Sequence, residues 1–315
     1  MKAVYINEFG GRDKLIYSDD FPKPEVREGE VLVRIKAAGV NPVDYKIREG
    51  LRKNLPYKFP LILGWDMAGI IEERGFGARR FKKGDEIFSY ARRPSVENGT
   101  YAEFISIPEC YVTAKPKSLS FEEAAAIPLV GLTAFQALHD KADIKANQFV
   151  LILGASGGVG SMAVQLAKIA GAKVAALAGS ANVDYLKSLG ADYVITYDNQ
   201  DWLETFLKQF QKKPDIVFDF VGKETLLKAY NCVKKGGTLV SIAGQADQQL
   251  ASSLGINFQY HFVEPDVSEL DQLTKLIDSG KLRTYINKVY PLRETYKAHE
   301  QIETEHTRGK IVLSI

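Results

Sequence analysis

The sequence is poor in cysteine and histidine. Its 315 residues include two cysteines, Cys110 and Cys232, and four histidines. Two cysteines so far apart fit neither a disulfide framework nor the four-cysteine pattern of a structural zinc site. We therefore expect two reduced thiols and a protein of a reducing compartment.

The sequence also lacks long apolar runs and an excess of either charge. No apolar stretch approaches the ~18 residues of a membrane-spanning helix, and residues 1–5 read as a strand rather than a signal peptide. Lys and Arg number 41 against 39 Asp and Glu, a formal net charge of +2. This balance gives no electrostatic reason to expect a nucleic-acid or membrane partner. The expectation is a globular, cytoplasmic protein.

Two patterns of secondary structure divide the chain. Short strand-like stretches separated by turns fill roughly the first 120 residues and predict a β-rich, barrel-like unit. Ser120 and Glu123 then form a capping box that opens an alanine-rich helix. Beyond it strands and helices alternate, which is typical of a doubly wound parallel sheet. The predicted strands are 149–153, 173–177, 193–196, 216–220 and 238–242, and the predicted helices are 159–170, 182–189, 202–210 and 224–233.

The last residues return to a strand, helix, strand order. The apolar run at 310–313 resembles a strand without a partner in the alternating region, so we expect it to pair with the first unit. The predicted domains are therefore a β-rich domain at 1–123, a dinucleotide-binding domain at 124–280, and a return to the first domain at 281–315. The fold class predicted is α/β.

Residues 150–160, VLILGASGGVG, are the strongest motif. They follow a predicted strand and open a predicted helix, as in a dinucleotide-binding turn. Gly157 and Gly158 lack a Cβ, so backbone N–H groups can approach a pyrophosphate at the helix N-terminus. Gly160 lets the helix pack closely on the strand. Ala155 replaces the first glycine of the strict pattern.

The end of the second strand indicates which nicotinamide cofactor is bound. An NAD site usually carries an acidic residue about 20 residues past the glycine turn, on the ribose 2′-hydroxyl. Residues 177–182 contain none, and Asp184 falls within the next predicted helix. Ser180 and Asn182 could instead donate hydrogen bonds to a 2′-phosphate, although both also suit helix capping. We therefore predict NADP(H) rather than NAD(H).

Several short motifs, in this order, resemble the medium-chain dehydrogenase/reductase superfamily, and within it the quinone oxidoreductase and enone reductase branch. The resemblance spans essentially the whole chain and implies a GroES-like catalytic domain, a Rossmann domain, and an active site in the cleft between them. Besides the glycine turn, the motifs are AGVNPVDYK at 38–46, GWDMAG at 64–69, FKKGD at 81–85, IPLVGLTA at 127–134, GAD at 190–192 and RGKIV at 308–312.

The same resemblance bears on the metal. Zinc-dependent relatives carry cysteine, histidine and usually a second cysteine where this chain has Asn41, Trp65 and a residue near Leu129. None of these three side chains is a zinc ligand. Without a Lewis acid, a conjugated acceptor is easier to reduce than a simple alcohol is to oxidise. We therefore predict zinc-independent hydride transfer to a quinone or α,β-unsaturated carbonyl compound.

The resemblance also assigns cofactor contacts. It places Asn41 and Thr133 near the nicotinamide. The other implied contacts are Ser156, Gly158 and Val159 at the pyrophosphate, Gly179, Ser180 and Tyr197 at the 2′-phosphate, and Phe220, Val221, Ile242, Ala243 and Gly244 along the groove. A homodimer is expected by family analogy.

Three residues at the start of one predicted helix are candidate catalytic residues. Asn41 has a structural alternative as a helix N-cap. Tyr45 and Lys46 are not needed for capping and could hydrogen-bond a developing enolate oxygen. The alternative is a packing tyrosine beside a solvated lysine.

The sequence is compatible with three hypotheses about function. The first is a quinone or enone reductase. The second is an alkenal or alkenone detoxifying reductase, which differs in its acceptor. The third is an NADPH-binding structural or regulatory protein with little turnover.

The absent zinc ligands generate the first prediction. The purified protein should hold no stoichiometric zinc, and EDTA should leave its activity unchanged, because the side chains at the ligand positions do not coordinate zinc. Elemental analysis and activity before and after chelation measure this. About one tightly held zinc per chain would contradict it.

Overall fold

The structure is a computed structural model that describes residues 1–52, 55–198, 201–245 and 247–315. Its chain divides into two compact units. The first comprises Met1–Leu129, Pro265–Gly280 and Thr284–Ile315, and the second comprises Val130–Glu264 and Lys281–Arg283.

The strands and helices are numbered here in chain order. The strands are β1 Ala3–Ile6, β2 Ile16–Ser18, β3 Glu30–Val40, β4 Tyr57–Ile62, β5 Asp66–Arg74, β6 Glu86–Tyr90, β7 Val96–Asn98, β8 Phe104–Pro108, β9 Thr113–Ala114, β10 Phe149–Leu153, β11 Lys173–Ala178, β12 Tyr193–Thr196, β13 Ile216–Asp219, β14 Thr238–Ser241, β15 Asn257–Tyr260, β16 Ile286–Pro291 and β17 Lys310–Ser314. The helices are α1 Pro42–Arg48, α2 Phe121–Ala125, α3 Pro128–Gln136, α4 Gly158–Ile169, α5 Val183–Ser188, α6 Trp202–Gln209, α7 Lys223–Tyr230, α8 Gln248–Leu254, α9 Val267–Asp278 and α10 Thr295–Glu303.

The first unit is built on two sheets. The larger has the order β16-β17-β3-β5-β6-β9, with β8 also paired to β3, and the smaller has the order β2-β1-β4-β7. Alternate residues of the larger sheet, such as Val33, Met67 and Ile87, are buried in one apolar cluster. The prediction of a β-rich first unit is confirmed.

The last strand returns to the first unit, as the sequence predicted. β17 lies antiparallel to β3, with Ile311 opposite Val40 and Leu313 opposite Ala38. The units differ from the predicted domains in three segments, because 124–129 and 265–280, the latter containing α9, are grouped with the first unit and 281–283 with the second. The hydroxyl of Ser118 donates to Asp278 of α9 at 2.9 Å, and Thr113 hydrogen-bonds Asp271. These contacts explain why 265–280 separates from the dinucleotide-binding region.

The second unit is a parallel sheet of order β12-β11-β10-β13-β14-β15, in which every neighbouring pair is parallel. The carboxyl ends of its strands therefore share one edge, the usual place for a ligand in such sheets. The five predicted strands, β10 to β14, lie within one residue of their predicted bounds, whereas β15 was not predicted. Ser120 forms the predicted capping box, but the helix after it ends at Ala125 and a second begins at Pro128. Proline disfavours helical conformation in the residue before it, which accounts for the break.

The longest α-helices in the described ranges are α4 and α9, each of 12 residues. A membrane-spanning helix needs about 20 residues. No helix in these ranges combines the length and apolar character needed to cross a bilayer.

Candidate cofactor-binding edge and active-site cluster

The glycine turn of the second unit joins β10 to α4. Gly154 has φ +73°, a left-handed conformation that suits glycine. A Cβ on Gly160 would lie 2.2 Å from the Gly154 carbonyl oxygen, so close packing of helix on strand requires glycine there. A Cβ on Gly157 would meet nothing nearer than 3.6 Å, which leaves the outer side of the turn open. Since Gly157 caps α4 without a side-chain hydrogen bond, the turn fits a pyrophosphate against helix N–H groups.

The other predicted cofactor residues lie mostly on the same edge of the sheet. Those directly after strands are Gly179 after β11, Tyr197 after β12, Phe220 and Val221 after β13, and Ile242, Ala243 and Gly244 after β14. Ser180 and Asn182 form a short 3-10 turn after Gly179. Ser156, Gly158 and Val159 lie half-buried in the glycine turn. Thr133 is buried within α3.

A buried carboxylate that the sequence analysis missed shapes two of these loops. Asp219, at the end of β13, accepts hydrogen bonds from the N–H groups of Val221 at 3.1 Å and Gly222 at 3.0 Å, and from the Ser241 hydroxyl at 2.7 Å. Ser241 Oγ in turn accepts from the Gly244 N–H at 3.2 Å. Burial raises the pKa of Asp219. The signal was an acid placed directly after the apolar run 216–218.

A second carboxylate changes the expectation for the end of β11. The Ser180 N–H donates to the carboxylate of Asp198. A Cβ on Gly179 would lie 3.3 Å from Asp198 Oδ1 and 3.4 Å from the Tyr197 hydroxyl. Residues 177–182 contain no acid, as the sequence analysis noted, but the following strand brings one there. The prediction of NADP(H) from the absence of an acid in residues 177–182 was therefore incomplete, because Asp198 places a negative charge at this strand end.

In the first unit, Asn41 lies in a buried polar cluster with Asp66 and Lys310. Asn41 Nδ2 donates to Asp66 Oδ2 at 2.8 Å, and Lys310 Nζ donates to Asn41 Oδ1. Lys310 Nζ also donates to the Val40 carbonyl at 3.0 Å and lies 3.4 Å from Asp66 Oδ2. Burial raises the pKa of Asp66 and lowers that of Lys310, so each charge depends on the other.

Asp44 extends this cluster toward Tyr101. Its Oδ2 accepts from the Asn41 N–H and from the Tyr101 hydroxyl, both at 2.8 Å. Its Oδ1 is buried and has no partner among the described residues. Burial raises the pKa of Asp44 to about 7. The Asp44 carboxyl therefore satisfies a backbone N–H at the start of α1, as an acidic side chain at the third position of a helix can.

Asn41 is held rather than free. One Nδ2 proton and the Oδ1 atom are both used, which fixes the amide and leaves its second Nδ2 proton as a donor. Tyr45 and Lys46 follow on α1 and are half-buried. Lys46 Nζ lies 5.9 Å from the centre of the Tyr45 ring. The ammonium and the phenol are thus neighbours on one helix, and their catalytic role stays a prediction.

The positions where zinc-dependent relatives carry ligands have other surroundings here. Trp65 is buried and packs edge-on against Tyr90, with ring centres 6.1 Å apart. The Leu129 N–H donates to Asp66 Oδ1 at 2.8 Å. Across the described parts of the chain, no group of three or more His, Cys, Asp or Glu side chains is arranged to hold a metal ion.

Comparison with known proteins gives matches along the whole chain. Residues 27–117 match the alcohol dehydrogenase GroES-like domain, and residues 189–313 match the zinc-binding dehydrogenase family. The 2-methylene-furan-3-one reductase of Solanum lycopersicum is 34% identical, over 99% of this chain and 79% of that protein. The chloroplastic NADPH-dependent alkenal/one oxidoreductase of Arabidopsis thaliana is 32% identical over the same shares.

A solved structure supports the same relation. The Escherichia coli quinone oxidoreductase, crystallised in complex with NADPH, is 28% identical and superposes with a TM-score of 0.91, covering 100% of both chains. The predicted combination of a GroES-like unit and a Rossmann unit is confirmed.

The raised pKa of Asp44 generates a prediction about stability. Its folded value of about 7 lies above its ordinary value of 3.8, so the fold favours the protonated form. The stability that this group contributes is complete below about pH 4 and is lost as the pH rises through about 7. Asp44→Asn keeps an oxygen that can accept both hydrogen bonds and cannot ionise. Over that interval, the free energy of unfolding should fall by about 4 kcal/mol more in the wild type than in the variant.

Denaturant unfolding at a series of pH values measures this difference. Asp20→Asn, at an exposed aspartate of the same unit, is the matched control and should keep the wild-type pH profile. Parallel pH profiles for the wild type and Asp44→Asn would contradict the protonated state of Asp44.

Proposed function

The chain belongs to the quinone oxidoreductase branch of the medium-chain dehydrogenase/reductase superfamily, and from this premise we propose that it is an NADPH-dependent reductase of quinones or α,β-unsaturated carbonyl compounds that acts without a metal ion. One observation carries the proposal. The carboxyl edge of the parallel sheet has the open glycine turn and the strand-end loops of a nicotinamide dinucleotide site.

The choice of acceptor rests on the side chains at the three metal positions. Asn41, Trp65 and Leu129 are engaged in an amide network, an aromatic contact and a backbone hydrogen bond, and none has the chemistry of a zinc ligand. A conjugated acceptor suits such a site because negative charge spreads from the β-carbon to the carbonyl oxygen. Relatives named for furanone, alkenal and quinone reduction support this acceptor class.

The residues of the chain have three tasks in this reaction. The glycine turn binds the pyrophosphate, and the loops fixed by Asp219 and Ser241 border the groove. When bound there, a reduced nicotinamide would supply the hydride that adds to the β-carbon of the acceptor. Lys46 or Tyr45 donates a hydrogen bond to the acceptor oxygen as negative charge collects there. Asn41 keeps a fixed orientation because Asp66 and Lys310 hold its amide.

A second candidate differs only in the acceptor. The Arabidopsis relative, 32% identical, is named for alkenals and alkenones, which favours a detoxifying reductase of the same class. A structural or regulatory NADPH-binding protein would share the cofactor site and lack turnover. For the assembly we propose a homodimer by family analogy, and for the location the cytoplasm, although that relative is chloroplastic.

A panel of acceptors tests the proposal. NADPH oxidation, followed at the absorbance of the reduced nicotinamide, should be fastest with a quinone, an alkenone or an alkenal and negligible with a saturated ketone. A preference for alkenals would select the second candidate. Tight NADPH binding without turnover of any acceptor would reject both enzymes and leave the structural or regulatory protein.

The role of Lys46 generates a further prediction. If its ammonium contacts the oxygen only as charge develops, Lys46→Met should lower kcat and kcat/KM by similar factors, on the order of 100-fold, with NADPH affinity unchanged. Steady-state kinetics on the best acceptor and an NADPH titration measure this. Lys275→Met, at an exposed lysine of α9, is the control and should change kcat less than about twofold. A kcat near the wild-type value in Lys46→Met would move the role to Tyr45 or to the cofactor ribose.

A further inference from the structure

The end of β11 combines hydrogen-bond donors with one negative charge. The Ser180 hydroxyl and the Tyr197 phenol are exposed there, and both are able to donate. The Asp198 carboxylate lies at the same strand end, because it accepts a hydrogen bond from the Ser180 N–H and lies beside Gly179. All four residues belong to the second unit.

Among the described residues, no cation offsets the charge of Asp198. Its carboxylate accepts a hydrogen bond from the Ser180 N–H, and no lysine or arginine in the described ranges forms an ion pair with it. Asp198 is exposed, so water and salt weaken its charge. A 2′-phosphate bound at Ser180 would nevertheless lie closer than the Debye length of about 8 Å, so the repulsion is not screened out. A 2′-phosphate brought to this place meets repulsion from a like charge, and it must also compete for a backbone N–H that the carboxylate already holds.

The same carboxylate suits the other cofactor. In dinucleotide-binding sheets, an acidic side chain at the end of the second strand accepts a hydrogen bond from the ribose 2′-hydroxyl of NAD(H). Here the acid comes from the end of the third strand in sequence, β12, and reaches the same strand end through its contact with Ser180. The location of the carboxylate in the folded protein, rather than its distance along the sequence from the glycine turn, decides whether it contacts the ribose.

We propose that Asp198 selects between the cofactors: its carboxylate accepts from the 2′-hydroxyl of NADH and repels the 2′-phosphate of NADPH. The Ser180 and Tyr197 hydroxyls act in the opposite direction. The chain therefore accepts both dinucleotides, with dissociation constants that differ by less than about tenfold, or about 1.4 kcal/mol. This inference rests on the proposed function for the presence of a nicotinamide cofactor, and it limits the preference for NADPH.

Binding measurements on the intact protein test it. The probes are NADPH and NADH, together with adenosine 2′,5′-bisphosphate and AMP, which report on the adenosine end alone. Asp198→Asn keeps the size of the side chain and removes its charge. We expect this variant to bind NADPH about tenfold more tightly, whereas its affinity for NADH should stay unchanged or become weaker. Adenosine 2′,5′-bisphosphate should follow NADPH, and AMP should follow NADH. Asp198→Arg should extend the shift.

The matched control is Asp184→Asn, an equal loss of charge at an exposed aspartate of the neighbouring helix α5. This control should change the ratio of the dissociation constants for NADPH and NADH by less than about twofold. Added salt should reduce the difference in NADPH affinity between the wild type and Asp198→Asn, because salt screens the repulsion between the carboxylate and the 2′-phosphate. A change in packing alone would not respond to salt in this way.

The outcomes separate this inference from the function. An unchanged ratio in Asp198→Asn, or an equal shift in Asp184→Asn, overturns the role of Asp198 even if the protein reduces quinones. The expected shift in binding without turnover of any acceptor supports the role of Asp198 and rejects the reductase.

Discussion

The first unit depends on one buried ion pair. Asp66 and Lys310 are nearly inaccessible to solvent, and each lies in a stretch of apolar strand residues. Two such charges are tolerated only where they are paired and their remaining polar atoms are satisfied. The Asn41 amide, the Val40 carbonyl and the Leu129 N–H complete that set. The pair thus joins β5 and β17 to the start of α1 and to the N–H of Leu129 in α3.

This pair explains why the last strand must return. Lys310 and Asp66 are 244 residues apart in sequence, and β17 brings them together by pairing with β3. Removal of either partner would leave an uncompensated buried charge, which is more costly than removal of both. The same contacts orient Asn41 at the beginning of the helix that carries Tyr45 and Lys46. The side chains of Asp66 and Lys310 therefore contribute both to the stability of the fold and to the geometry of the candidate catalytic segment.

Local patterns predicted most of the fold. The approximate bounds of β10 to β14 and of α4 to α7 followed from periodicity and glycine positions, since each is a continuous segment with its own start and stop signals. β15 and α8 were not predicted. The C-terminal return followed from an apolar strand without a partner. The assignment of α9 did not, because it depends on contacts of Asp271 and Asp278 with residues more than 150 positions away, at 158 and 160 residues. No local pattern carries that information.

The site was predicted less completely, and for the same reason. The glycine turn is a local motif and was identified in the sequence. Lys310 and Asp66 lay within quoted motifs, yet nothing local indicated that they meet. Asp198 was missed because the rule for NAD sites counts residues from the glycine turn, whereas the carboxylate arrives from the following strand.

The bond between Asp219 and Ser241 limits how freely the cofactor groove can be rebuilt. The two side chains end adjacent strands and together hold the N–H groups of both following loops. An exchange of one loop for that of a relative would leave buried polar atoms of the other without partners, unless both strand ends were exchanged together. For segment exchange, residues 219–222 and 241–244 therefore form a single module, although 18 residues separate them in the chain.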